Sequence, residues 1–365
     1  MKKLFSVFLV IILIVSMVVG CRRDVPPEQT PPDNQGGAAG DRLPQGEDIV
    51  KIGLGSVTSI DSSTEAEGDK GPRAQVDTTS AAVAFDKNDR VVKVVIDTAQ
   101  TGVEFDSSGK LLTDKEGNFR TKTELGDEYN MKRVSGIGKE WFEQIADLER
   151  WMVGKTVNEI TAMKVKEGAP GHTHVPDEPD LTSTVTITVE DYLAAVEKAH
   201  RNAVEVGAGA QTLGLGHDIS VGSSKSAEGD KGPFAQVDTT MAATAFDRDG
   251  KVVKTIIDTA QTGVEYDNKG KLVTDKKGPF RTKTELGNDY NMKRVSGIGK
   301  EWFEQIAELE KWMAGKTVDE IRSMKVKEGA PGHTHVPDEP DLTSTVTITV
   351  ESYISAVTRS QRNAR

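Results

Sequence analysis

The sequence predicts an α+β fold, in which two tandem domains each place an antiparallel β-sheet under a cover of helices. Three observations carry that expectation. First, Gly68-Asp69-Lys70-Gly71-Pro72 recurs as Gly229-Asp230-Lys231-Gly232-Pro233, an offset of 161 positions. Ser135-Gly136-Ile137-Gly138-Lys139 and Asp180-Leu181-Thr182-Ser183 return at the same offset, as Ser296-Gly297-Ile298-Gly299-Lys300 and Asp341-Leu342-Thr343-Ser344. A unit of that length is a duplicated domain, because solenoid units run only about 20–50 residues. Second, the first half of each copy holds β-branched runs separated by tight turns. Third, the second half holds apolar residues at helical spacing. Strands first and helices after is the order of an α+β domain.

The elements follow in order. Val50 to Ile60 reads as a strand interrupted by Gly53 and Gly55. Ala74 to Phe85 and Val91 to Thr98 read as a hairpin joined by Asp86-Lys87-Asn88-Asp89. The second copy has Asp247-Arg248-Asp249-Gly250 at that turn, and Asp-Gly supplies the positive φ angles of a tight hairpin. Trp141, Ile145, Leu148 and Trp151-Met152 form one helical stripe that Gly154 ends. Val157, Ile160 and Met163 predict a short second helix. Residues 166–179 form a Gly/Pro/His loop, and Ser183 to Thr188 reads as extended. A last helix is predicted from Val189 to about Asn202, with Thr188 as N-cap and Asp191 three residues on.

The N-terminus points to export. Lys2 and Lys3 precede an uncharged apolar run, Leu4 to Val19, which is short for a membrane span and reads as a signal peptide. It ends in Val18-Val19-Gly20-Cys21, which resembles a lipobox. Cys21 is the single cysteine of the sequence. Acyl chains on Cys21 are expected to hold the protein at the extracytoplasmic face of the cell membrane without a spanning helix; the alternative is a buried or free thiol in an uncleaved anchor. The expected organisation is a signal peptide and lipobox cysteine over 1–21 and a disordered Pro/Gly tether over 22–47. Repeat domain 1 follows over 48–200, then a linker over 201–212 and repeat domain 2 over 213–362.

Composition excludes several classes. The net charge of −11 and the lack of a basic stripe exclude nucleic acid as a partner. The repeats contain no cysteine, no Gly-x-Ser-x-Gly elbow and no His-Glu-x-x-His, so a hydrolase is not expected.

The chemistry-bearing stretch is Asp180-Leu181-Thr182-Ser183-Thr184-Val185-Thr186-Ile187-Thr188, followed by Ala195-Val196 in the helix. It resembles the signature of FMN-binding domains in flavinylated extracellular electron-transfer lipoproteins and in subunits of the sodium-pumping quinone reductase. Their pattern is Asp-x-x-Ser-Gly-Ala-Thr-x-Thr-Ser, and flavin phosphate is esterified to the Thr of Ser-Gly-Ala-Thr. The resemblance puts Thr186 and its counterpart Thr347 at that position. Asp180, Ser183 and Thr188 match as well, as do Asp341, Ser344 and Thr349. Thr184 and Val185 stand where the pattern has Gly and Ala. The resemblance implies one FMN per domain, covalently held, and a membrane redox donor for a monomeric electron carrier.

Residue chemistry beside the resemblance allows more than one reading. Hydroxyls before a helix N-terminus can seat a phosphate; the same residues also make an ordinary Thr-rich edge strand and N-cap. Ser135 to Lys139 before a helix is either another phosphate cradle or a tight helix entry. His172-Thr173-His174 and His333-Thr334-His335, with Asp177 and Glu178 nearby, are weak metal candidates. Asp77-Thr78-Thr79 and Asp97-Thr98 either line a pocket or end strands. Trp141, Trp151, Trp302 and Trp312 read as core. His200 and His217 have no counterpart in the other copy. The alternative to an electron carrier is a non-redox ligand- or metal-binding surface lipoprotein.

Overall fold

The structure is a computed structural model that describes residues 48–169, 171, 173–329 and 334–365. The expected signal peptide, Cys21 and the tether lie outside the described residues, as do His172 and His333. No helix among the described residues is long and apolar enough to cross a membrane.

The fold is mixed α+β with antiparallel sheets. In the first repeat, β1 (Lys51–Ser59), β2 (Arg73–Phe85) and β3 (Val91–Glu104) form a meander. Then come α1 (Lys122–Leu125), α2 (Trp141–Met152) and α3 (Val157–Thr161), the short pair β4 (Val165–Lys166) and β5 (Val175–Pro176), and α4 (Glu190–Arg201). β6 (Val204–Glu205) joins the sheet, giving the order β3-β2-β1-β6. The second repeat runs β7 (Thr212–Ser220), β8 (Phe234–Phe246), β9 (Val252–Glu265), α5 (Lys283–Leu286), α6 (Trp302–Met313) and α7 (Val318–Arg322). It ends with β10 (Val326–Lys327), β11 (Val336–Pro337) and α8 (Glu351–Arg362), and its sheet is β7-β8-β9.

Three expectations need correction. Ser183 to Thr188 is not a strand. The Thr184 and Val185 N–H groups bond the Leu181 carbonyl at 2.9 and 2.8 Å, so the segment closes as a turn. Its apolar residues Leu181, Val185, Ile187 and Val189 face the core, and this produces the β-like alternation. Thr188 does not cap α4, because Val189 holds the N-cap place without a side-chain bond. The 201–212 linker is partly strand: Ile52 pairs with Val204 and Lys51 with Glu205.

Residues Gly46–Arg365 form one compact unit. The inner faces of the two sheets meet: Ile52, Leu54, Ala82, Ala84 and Val95 share a core with Leu213, Leu215, Met241, Ala243 and Ala245. A second shared core joins Ile60, Val76 and Phe105 to Val221, Val237 and Tyr266. The outer faces take the helices, with Ala81, Val83 and Phe85 against Ile145, Leu148 and Ala195. The layers therefore run helices, sheet, sheet, helices. Gly53 and Gly55 let α4 lie on β1: a Cβ on either would fall 1.8 Å from the Ala199 oxygen or 2.2 Å from the Ala195 oxygen. These glycines serve close helix–sheet packing rather than a break in the strand. Across the repeat, the buried pair Val83 and Val94 is replaced by Thr244 and Thr255, whose hydroxyls bond each other at 2.9 Å. Changing both members together leaves neither threonine hydroxyl unpaired.

Candidate functional site

Thr186 lies half-buried at the edge of an open hollow of about 320 Å3. The hollow lies beside α2 rather than at the start of α4. The fully buried Gln144 of α2 positions Thr186, because its Oε1 accepts the Thr186 N–H at 2.9 Å and the Thr186 hydroxyl at 3.3 Å. Met131, Val134 and Ile187 supply apolar wall; Ser135, Thr182 and Lys166 supply hydroxyls and a cation. Lys166 also pairs with Asp177 at 2.8 Å. Val134 is 83% exposed and its counterpart Val295 is 71% exposed. The second repeat repeats the central contact, with Gln305 Oε1 accepting from Thr347 N–H at 2.9 Å and hydroxyl at 3.3 Å.

The structure does not bring all the sequence-predicted residues together. Asp180, Ser183, Asp341 and Ser344 are exposed and line neither this hollow nor the cavity described next. Thr188 is half-buried. Its counterpart Thr349 donates its hydroxyl to the Thr334 carbonyl at 2.8 Å and lines a different cavity. The Ser135 to Lys139 segment is not an anion cradle: a capping box of Glu140 and Glu143 already occupies the start of α2. Carboxylates there satisfy the free N–H groups and repel an added anion. His174 and His335 have positive φ and stand 3.4 and 3.5 Å from Glu190 and Glu351. Among the described residues no group of three His, Cys, Asp or Glu could hold a metal.

A larger polar cavity, of about 540 Å3, opens in the second repeat between Asp238, Thr240, Thr259, Lys283, Thr349 and Tyr353. The first repeat closes one side with Lys115, Glu116 and Gly117. Lys283 sits over the Tyr290 and Trp302 rings at 5.1 and 5.5 Å, as Lys122 does over Tyr129 and Trp141 at 4.9 and 5.5 Å. Burial pushes the Lys283 ammonium down, but the Tyr353 and Tyr290 hydroxyls and Asp238 outweigh it and hold it above the ordinary value. Trp302 donates its ring N–H to the Tyr353 hydroxyl at 2.8 Å and so fixes that wall. Asp238, Thr240 and Thr259, the counterparts of the marked Asp77, Thr79 and Thr98, lie within β8 and β9 rather than at strand ends and line a cavity here. Asp97 and Asp258 instead tie β3 and β9 to α1 and α5, accepting the Thr123 and Thr284 N–H groups at 3.1 Å. Burial pushes both carboxyls up.

Sequence reasoning missed Gln144, Gln305, Lys122 and Lys283. The signal was present for the glutamines, which interrupt an apolar helix stripe in both copies. A polar residue repeated at a core position has a partner to hold.

No protein-family profile matches the chain, and no solved structure matches it. A stretch of 43 residues, 12% of the chain, is 49% identical to part of a chlorophenol reductase of Desulfitobacterium hafniense. The match spans 13% of that protein's length.

Proposed function

We propose that the chain is a membrane-anchored extracytoplasmic flavoprotein that carries electrons through one FMN per domain. On this reading its two tandem domains share one design, and a lipid on Cys21 places them near a membrane redox donor. The hollow at Thr186 carries the proposal. Its size is at the lower end of small-ligand sites, about 300–1,000 Å3, and its wall is apolar with a few polar groups, as such sites are. FMN has the same two-sided chemistry, a flat apolar ring system and an anionic phosphate. Met131, Val134 and Ile187 suit the ring; Lys166 and the hydroxyls of Thr182 and Thr186 suit the phosphate. The Thr184 hydroxyl turns back toward the Leu181 and Asp180 carbonyls, and Val185 is fully buried. Within Thr184 to Thr186, Thr186 is therefore the hydroxyl that meets the hollow, and Gln144 fixes its direction. Bound FMN supplies the electron-transfer chemistry, while the protein supplies binding and electrostatics.

Intact mass and visible absorption of the chain, expressed with a flavin transferase, test this reading. Two FMN groups per chain are expected, one in Thr186→Val or Thr347→Val, and none in the double variant. A colourless wild-type chain with unmodified mass that takes up no added FMN overturns it. A second reading, non-redox binding of a polar ligand, is favoured by the cavity around Lys283 and Asp238.

A further inference from the structure

One of the matched positions at which the two repeats differ, Val204 against Arg365, opens a hollow. In the first repeat, Glu149 of α2 accepts the Ile96 N–H at 2.7 Å on one oxygen and pairs with Arg365 through the other. Backbone pairing holds Arg365 there, with N–H to carbonyl distances of 3.1 Å to and from Leu213. Its guanidinium also reaches the Val94 carbonyl at 3.4 Å. In the second repeat, Glu310 of α6 accepts the Ile257 N–H at 2.7 Å in the same way. The place of Arg365 is taken by Val204, which pairs with Ile52 as Arg365 pairs with Leu213. Valine is too short to reach the carboxylate. A hollow of about 290 Å3 remains, lined by Glu310, Asp258, Val204, Trp302, Phe303 and Ile306. Among the described residues no basic side chain forms an ion pair with Glu310.

We propose that this hollow binds a guanidinium group supplied from outside the chain, with the Glu310 carboxylate as its partner. The first repeat is the precedent, since the same carboxylate at the same helix position already holds a guanidinium there. The planar guanidinium fork matches a carboxylate, and its weak hydration suits a half-enclosed site better than an ammonium does. Phe303, 36% exposed, offers aromatic surface to a cation. Lys254 and Asp258 are the charged groups whose fields reach Glu310, and being of opposite sign they oppose each other there.

Calorimetric titration of the full chain with agmatine, and separately with the peptide N-acetyl-Gly-Arg-Gly-amide, tests the proposal. Binding of one equivalent of at least one probe is expected, with no binding of the matching citrulline peptide. Agmatine alone binding identifies a small guanidinium compound as the ligand class; peptide binding identifies an arginine side chain of a polypeptide. Glu310→Gln is expected to weaken binding at least tenfold. Val204→Arg, which rebuilds the sister arrangement, is expected to abolish it and to keep or raise the melting temperature. Failure of both probes to bind at millimolar concentration overturns the proposal, as does undiminished binding to folded Glu310→Gln.

Discussion

Position 217 is a place where two nearly identical copies put different chemistry in the same interior. His217 is 2% exposed, and its Nε2 has no hydrogen-bond partner among the described residues. Its counterpart in the first repeat is Ser56. Burial pushes the imidazole down to about 4, with Glu124 opposing and Arg359 reinforcing that shift. In the unfolded chain a histidine titrates near 6.5. Between pH 6.5 and 4 the unfolded state therefore binds the proton first, and acid lowers stability by up to about 3 kcal/mol from this residue. Glu149 and Glu310 act with the opposite sign. Burial pushes both up to about 7, so their neutral form favours folding below pH 4.5, and that contribution fades as pH rises through 7. The histidine contribution is isolated by comparing wild type with His217→Ser across pH. The melting-temperature difference is expected to shift against wild type as pH falls from 7 to 4. A difference that stays flat over that interval contradicts a neutral buried imidazole.

Among the elements, the contact of helix on strand decides most. Gly214 and Gly216 of β7 face α8 as Gly53 and Gly55 face α4; a Cβ on Gly216 would fall 2.0 Å from the Ala356 oxygen and 2.3 Å from the Ser360 nitrogen. Backbone cannot rotate away as a side chain can, so Gly216→Ala is expected to cost about 3 kcal/mol or more, read as a drop in melting temperature. Gly297→Ala is the control, since a Cβ there meets nothing within 4 Å. Equal effects of the two would contradict the close-packing account. The same glycines mark where the sequence was legible and where it was not. The strand starts, the α2 stripe and the α4 start were legible within a residue, but β3 runs on to Glu104, well past the expected end at Thr98. The glycines read only as interruptions, because close approach of a helix is a tertiary fact. The Ser183 to Thr188 alternation was real, but the side-chain period does not reveal whether a neighbouring strand is present to complete a ladder. Thr186, singled out in the sequence by its motif, lines the hollow beside α2. Gln144 and Lys166, distant in sequence, were not legible, because only folding brings them to the same hollow.

For the whole molecule, several of the contacts between the repeats are reciprocal. Ala66 N–H bonds the Gly270 carbonyl at 2.9 Å, and Ala227 N–H bonds the Gly109 carbonyl at 2.8 Å. Lys198 pairs with Glu285 at 2.7 Å, and Arg359 pairs with Glu124 at 3.3 Å. Each contact maps onto its twin when the copies are exchanged, which is the pattern of a two-fold interface built inside one chain. Between these contacts lie the two shared cores, where Leu54 and Leu215, or Phe105 and Tyr266, belong to one cluster. Neither sheet can expose that inner face to water without losing the apolar burial that stabilises it. The two repeats should therefore unfold together, despite their separate helix layers. Hydrogen exchange across a denaturant series provides the measurement. Amides of α2 in the first repeat and α6 in the second are expected to lose protection at one midpoint, and Gly216→Ala, which disturbs only the second, should lower both midpoints by the same amount. Two separated midpoints, with only α6 responding to Gly216→Ala, would mean that each copy stands by itself and that the shared cores contribute little to either.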